Sequence, residues 1–137
     1  MCGGTIGPPA MALDGKRVLI VEDEFYVAAE LADEVAAAGA KVVGTANTKD
    51  AALGIIANTY LDGAVVHIRL AGDADAGFQV ADALAKRCIP FIFETAAHPD
   101  ELPARHVYVP IIYKPFLSGA VRNALESLMR PAQEDHR

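Results

Sequence analysis

Five short apolar runs recur along this chain, each separated from the next by room for one amphipathic segment, and that alternation constrains the fold more than any other feature. The runs are RVLIV (Arg17 to Val21), KVVGT (Lys41 to Thr45), AVVHI (Ala64 to Ile68), IPFIF (Ile89 to Phe93) and VPIIY (Val109 to Tyr113). Near-continuous β-branched stretches suit strands covered on both faces. Pro90 is tolerable because it falls near the start of its run. Between the runs, Ala28, Leu31, Ala32 and Val35 have helical spacing within Phe25 to Ala38, with Gly39 placed as a stop. Thr48 is positioned to cap a second helix holding Leu53, Ile56 and Ala57, and Asp62-Gly63 turns the chain into the third strand. Phe78 to Arg87 and Phe116 to Met129 read as further helices. Pro99 and Pro103 limit the segment between Thr95 and Pro110 to about one or two helical turns.

Strands alternating with helices predict an α/β domain of five parallel strands and five helices, the fourth short or irregular. Right-handed crossovers and short connections favour the strand order 2-1-3-4-5, with helices on both faces. The composition agrees with one packed core: 137 residues, 53% hydrophobic and 22% charged. A formal net charge of −6 leaves no basic field to neutralise a phosphate backbone, so direct nucleic-acid binding is not expected. Cys2 and Cys88 are too few for a metal knuckle or a disulfide framework, which favours a reducing cytoplasm. Residues 1–14 read as a flexible arm without signal-peptide character, 15–130 as the domain, and 131–137 as a polar tail. The longest apolar run is too short to span a membrane.

In such sheets the reactive edge lies at the carboxyl ends of the strands. Glu22 and Asp23 follow the first strand, His67 ends the third, Thr95 follows the fourth and Lys114 follows the fifth. Adjacent carboxylates at a strand tip can hold a hard divalent cation, a hydroxyl can bond a phosphoryl oxygen, and a lysine supplies compensating charge. Glu24 reads as a helix N-terminal acid, and Asp73-Ala74-Asp75 as a solvated loop lacking the oxygen ligands calcium needs. His98, His106 and His136 read as solvated loop or tail residues, and Cys88 as a small buried side chain.

These residues carry a resemblance. VLIVEDE at 18–24, DGAVVHIRL at 62–70, IPFIFET at 89–95 and YKPF at 113–116 together resemble the receiver domain of bacterial two-component response regulators. PFIFETAAH at 90–98 is similar to a degenerate form of the PFxFATG pattern of one subfamily of stand-alone receivers. The resemblance implies a flavodoxin-like (CheY-like) three-layer sandwich. It matches Glu22 and Asp23 to the magnesium-binding acids, Thr95 to the switch hydroxyl, and Lys114 to the lysine that pairs with the acyl phosphate. It also places Lys114–Pro115 at a bond often found cis. His67 stands where the family has its phosphoacceptor aspartate. Ile111 stands where many receivers have an aromatic residue, and the narrower subfamily lacks that aromatic too.

Imidazole is a poor substitute for the acceptor carboxylate. As a neutral nitrogen ligand it suits zinc, nickel or copper better than magnesium, so any magnesium binding is expected to be weak and no cofactor obligatory. Three readings of His67 follow. It can fill the vacated site beside Glu22 or Asp23, making the domain a pseudo-receiver; it can act as a transition-metal ligand or proton-sensing group; or it can itself carry phosphate. The first is the leading expectation.

The expected function is therefore a non-enzymatic, cytoplasmic signalling module of a two-component phosphorelay. Its expected partner is a sensor histidine kinase or another signalling protein, and its expected partner surface is the fourth helix, fifth strand and fifth helix, through which a homodimer could also form. One alternative is a working phosphorelay receiver, phosphorylated atypically or sequestering a kinase. A metal-dependent phosphohydrolase is disfavoured because Glu22-Asp23-Glu24 replaces the D-x-D such enzymes place after the first strand. A nucleotide-binding flavodoxin-like protein is disfavoured because the same acids stand where a phosphate would sit.

Overall fold

The computed structural model describes residues 13–96, 102–117 and 119–129. Its sheet contains β1 (Arg17–Val21), β2 (Lys41–Ala46), β3 (Gly63–His67), β4 (Phe91–Thr95) and β5 (Ile111–Tyr113). All neighbours pair in parallel, in the order β2-β1-β3-β4-β5. The helices are α1 (Phe25–Ala37), α2 (Lys49–Asn58), α3 (Ala76–Lys86) and α4 (Ala120–Leu128).

The expected fold class holds, with corrections to its parts. Among the described residues there are four α-helices, and the fourth of the expected five is a single 3-10 turn at Ala104–His106. Pro103 precedes that turn with an extended backbone, and Pro110 lies between it and β5, so neither end can extend as helix. The last helix starts at Ala120, not Phe116, because Gly119 sits in the left-handed region at φ 84° and cannot continue a helix backwards. β4 runs two residues later than its apolar run suggests, so the strand carries Glu94 and Thr95.

Residue alternation on the strands sorts the interior into two layers. Leu19, Val21, Ala64, Val66, Phe91 and Phe93 pack with Ile56, Ala81 and Leu84 of α2 and α3. Val18, Ile20, Val65 and Ile92 pack on the other face with Leu31 and Val35 of α1 and Val121 and Leu125 of α4. Leu13, assigned from the sequence to the arm, is wholly buried in the second layer, so the packed body begins before residue 15. The rest of the arm, His98, His136 and the 131–137 tail lie outside the described residues.

Local contacts fix the helices that surround the strand tips. Thr48 Oγ1 accepts from the Ala51 N–H at 3.1 Å, the expected cap of α2. Glu34 on α1 accepts from the Arg122 N–H at 2.9 Å, supplying α4 with an acceptor for one of its first free donors. Gly77 lets the start of α3 press onto the end of β3: a Cβ there would strike the carbonyls of His67 and Ile68. His106 is not solvated. It is buried among Phe78, Phe91 and Phe93, and its Nε2 lies 2.8 Å from Asp82 Oδ1. Cys88 is exposed, not buried; it leaves α3 at a left-handed φ of 58° and is disulfide-bonded.

Candidate functional site

Three polar side chains extend one row of the apolar sheet face. Glu22 follows Ile20 by two residues, His67 follows Val65 by two, and Glu94 follows Ile92 by two, so all three stand on the face covered by α1 and α4. His67 and Glu94 are direct register partners across β3 and β4. Lys114 leaves β5 beyond Ile112, through a peptide bond to Pro115 that is cis, and its backbone N–H donates to the Thr95 carbonyl at 2.9 Å.

The His67 ring points into this row. Its Nδ1 lies 3.1 Å from Glu94 Oε2 and 3.5 Å from Glu22 Oε1, while Nε2 lies 3.9 Å from Asp23 Oδ1. The expected neighbours Glu22 and Asp23 are present, but the nearest acid is Glu94. Lys114 Nζ stands 3.4 Å from Glu22 Oε1, 3.5 Å from Glu94 Oε1 and 3.2 Å from Glu24 Oε1. Glu24 is therefore more than a helix-terminal acid: its side chain makes no cap and reaches Lys114 instead.

The carboxylates are anchored from outside the pocket. Asp23 Oδ2 accepts from the Ala71 N–H at 2.9 Å, tying the loop after β3 to the tip of β1. Glu22 Oε2 accepts from the Glu24 N–H at 3.0 Å. The other oxygens, Asp23 Oδ1 and Glu22 Oε1, face the ring.

Two buried acids and one lysine cannot all be charged without cost. Burial, then the close approach and repulsion of Glu94, push Glu22 up to about 9. Burial acts against Glu94 as well, but the close approach of His67 and Glu22 and the charges of His67 and Lys114 outweigh it and hold Glu94 below the ordinary range. The two acids are therefore pushed in opposite directions, Glu22 toward its neutral form and Glu94 toward its charged form. Asp23 is also held low, the Ala71 N–H and its other partners overcoming burial. For Lys114, Glu94, Glu22 and Glu24 overcome burial and raise its pKa.

Thr95 is buried at the end of β4, in register with Tyr113. Ile111 pairs with Phe93 and packs against the first layer. The sequence reading passed over Glu94. The available signal was an acid inside the run IPFIFET, at the position where the PFxFATG pattern has alanine.

No protein-family model and no curated protein matches the chain. Solved structures do. SdrG from Sphingomonas melonis Fr1 is 36% identical with a TM-score of 0.73, over 86% of this chain and 98% of that one. The receiver domain of the PhyR response regulator from Erythrobacter litoralis is 30% identical with a TM-score of 0.73, over 86% and 92% of the two chains. The response regulator PhyR from Brucella abortus is 28% identical with a TM-score of 0.74, over 88% of this chain but 50% of its own, so the present chain spans about half of that protein's length.

Proposed function

Since this chain belongs to the family of response regulator receiver domains, we propose that it is a signalling module that works through protein–protein contact and does not take a phosphoryl group in the ordinary way. The observation that carries this reading is the closed charge network around Lys114. The family's lysine pairs with an acyl phosphate; here its ammonium already has Glu94 at 3.5 Å, Glu22 at 3.4 Å and Glu24 at 3.2 Å. The acceptor position holds an imidazole whose Nδ1 faces Glu94. An incoming phosphoryl group would meet no carboxylate nucleophile there and would have to displace Glu94 from the lysine.

Magnesium fits this donor set poorly. It demands near-octahedral oxygen ligation, and here the third donor is a nitrogen and the Lys114 ammonium stands 3.4 Å from Glu22 Oε1. With phosphate removed as the bias between conformers, differential binding by a partner protein remains as the means of shifting them. A sensor histidine kinase or another signalling protein is the partner class, and the surface around Tyr108, Tyr113 and Leu117, all exposed, is the face proposed to receive it. Among the described residues no helix is long and apolar enough to cross a membrane.

Incubation with acetyl phosphate and magnesium, followed by intact mass, tests this. No stable adduct is expected; addition of one phosphoryl group would return the domain to the ordinary relay.

A further inference from the structure

We propose that the turn at Ala104–His106 is a latch: the buried His106 ring, tied to Asp82, holds the segment leading into β5 in one of two positions, and Phe93 passes that position to Glu94 in the pocket. The ring joins three elements. Its centroid lies 6.4 Å from that of Phe78 on α3, nearly parallel to it, and 5.8 Å from each of Phe91 and Phe93 on β4, edge to face. Asp82, also on α3, is the polar anchor. Its Oδ1 lies 2.8 Å from His106 Nε2 and 2.6 Å from Arg105 Nε, and its Oδ2 accepts from Arg105 Nη2 at 3.0 Å. An ionised carboxylate only accepts, so His106 Nε2 carries the hydrogen.

Side chains, more than backbone, fix the turn in place. Among the described residues, the backbone hydrogen bonds donated within 103–109 stay inside the turn: His106 to Pro103, Val107 to Ala104 and Val109 to His106. The chain rejoins the sheet at Pro110, whose carbonyl accepts from the Phe93 N–H at 2.9 Å. Leu102 and Val109, half-buried, pack against the same core layer. A segment anchored by so few side chains opens at a lower cost than the sheet behind it.

The turn also inverts the usual partition of side chains. Its imidazole is 3% exposed, whereas the two apolar residues that follow, Val107 and Tyr108, are 54% and 96% exposed. Burying a polar ring costs free energy that the bond to Asp82 offsets, and exposing valine and tyrosine forgoes apolar burial. An outward turn hydrates the imidazole, and a partner that covers Val107 and Tyr108 recovers the apolar burial, so binding on this face favours the second position. The route to the pocket is short. Phe93 and Glu94 are adjacent on β4 and project to opposite faces, Phe93 against the His106 ring and Glu94 against His67 Nδ1. A displaced ring frees Phe93, and the backbone bonds from Phe93 to Pro110 and from Lys114 to Thr95 carry the shift to Glu94 and Lys114.

The latch rests on the proposed reading that partner contact, not phosphate, shifts the conformers, but the two fail separately: phosphoryl uptake by mass decides that reading, amide exchange the latch. Full-length wild type, Asp82→Ala, Asp82→Asn and Arg105→Ala are compared by amide hydrogen exchange and by the ring resonances of His67. Asp82 lies at the surface, so its replacement removes the anchor without opening the core. In Asp82→Ala, exchange at the His106, Val107 and Val109 amides should rise about tenfold or more while Leu19 and Ile20 of β1 keep their protection. The His67 ring and Glu94 amide resonances should shift in the same variant. Arg105→Ala, which leaves the bond between His106 and Asp82, should change neither, and Asp82→Asn, which keeps an acceptor oxygen, should retain most of the protection. Coupling is reciprocal, so Glu94→Gln should alter exchange at the same three turn amides. Unchanged exchange at the turn in Asp82→Ala, a rise shared equally by β1, an equal rise in Arg105→Ala, or a loosened turn that leaves the His67 and Glu94 resonances in place would overturn the latch.

Discussion

His67 and Glu94 face each other as register partners on adjacent parallel strands, Nδ1 to Oε2 at 3.1 Å. In this chain β3 carries the imidazole at its end, and the acid that faces it stands one strand across, on β4. The pocket keeps a negative charge for Lys114, but on a side chain that is fully buried and already engaged.

Removing that charge should cost stability. Glu94→Ala leaves Lys114 with one fewer anion and His67 Nδ1 without its nearest acid. Partial compensation comes from Glu22, which loses the neighbour that helps keep it protonated. A loss of about 1–3 kcal/mol in urea unfolding is expected. An unchanged midpoint would mean that Glu94 does not hold the pocket together.

The pH dependence has a definite sign. Glu22 keeps its proton in the folded state up to about 9, against 4.5 for an ordinary glutamate. Between those values the folded state binds more protons than the unfolded one, so this group's contribution is fully present below the lower value and is lost as pH rises through the upper. Glu94 and Asp23, held low, act oppositely: their contribution is present above the ordinary carboxylate range and is lost as pH falls through their folded values. Stability should be greatest at mildly acidic pH. Glu22→Gln, which fixes the neutral form, should flatten the decline toward pH 9 and gain about 1–2 kcal/mol at pH 8. A parallel decline in the variant would refute the assignment of that proton.

The sheet was legible because apolar runs of β-branched residues are short and evenly punctuated, and the order of the strands follows from chain geometry. The positions of Glu22, Asp23, His67 and Lys114 were legible because each stands just where a run ends. Glu94 was not. A carboxylate inside an apolar run looks like the end of the strand, and only the pairing of His67 with Glu94 makes it a pocket residue. His106 was misread for a similar reason: its burial depends on three phenylalanines from β4 and α3 and on Asp82, none of them close in sequence.

That histidine supplies a further prediction. Asp82 is held below its ordinary range by Arg105, with burial opposing and His106 assisting. Arg105 and Asp82 are both exposed, so Arg105→Ala should cost less than about 1 kcal/mol. His106→Ala opens a space among Phe78, Phe91 and Phe93 and should cost about 2–4 kcal/mol. Thermal unfolding distinguishes the two; equal effects would contradict the burial of His106.

Gly77→Ala is expected to lower stability by about 2–4 kcal/mol and to displace the end of β3, since the added methyl meets the His67 and Ile68 carbonyls. Shifted amide resonances at His67 and Ala71 would report that displacement. Their persistence at wild-type positions would show that α3 can retreat without disturbing the pocket.

The central claim is that the acid on β4, together with the imidazole on β3, excludes the phosphoryl group. It is tested most directly by intact mass after acetyl phosphate and magnesium, comparing wild type with the double variant His67→Asp, Glu94→Ala, which returns the carboxylate to β3 and frees Lys114. The account predicts no adduct on the wild type and one phosphoryl group on the double variant. A wild type that gains the group, or a folded double variant that does not, would contradict it.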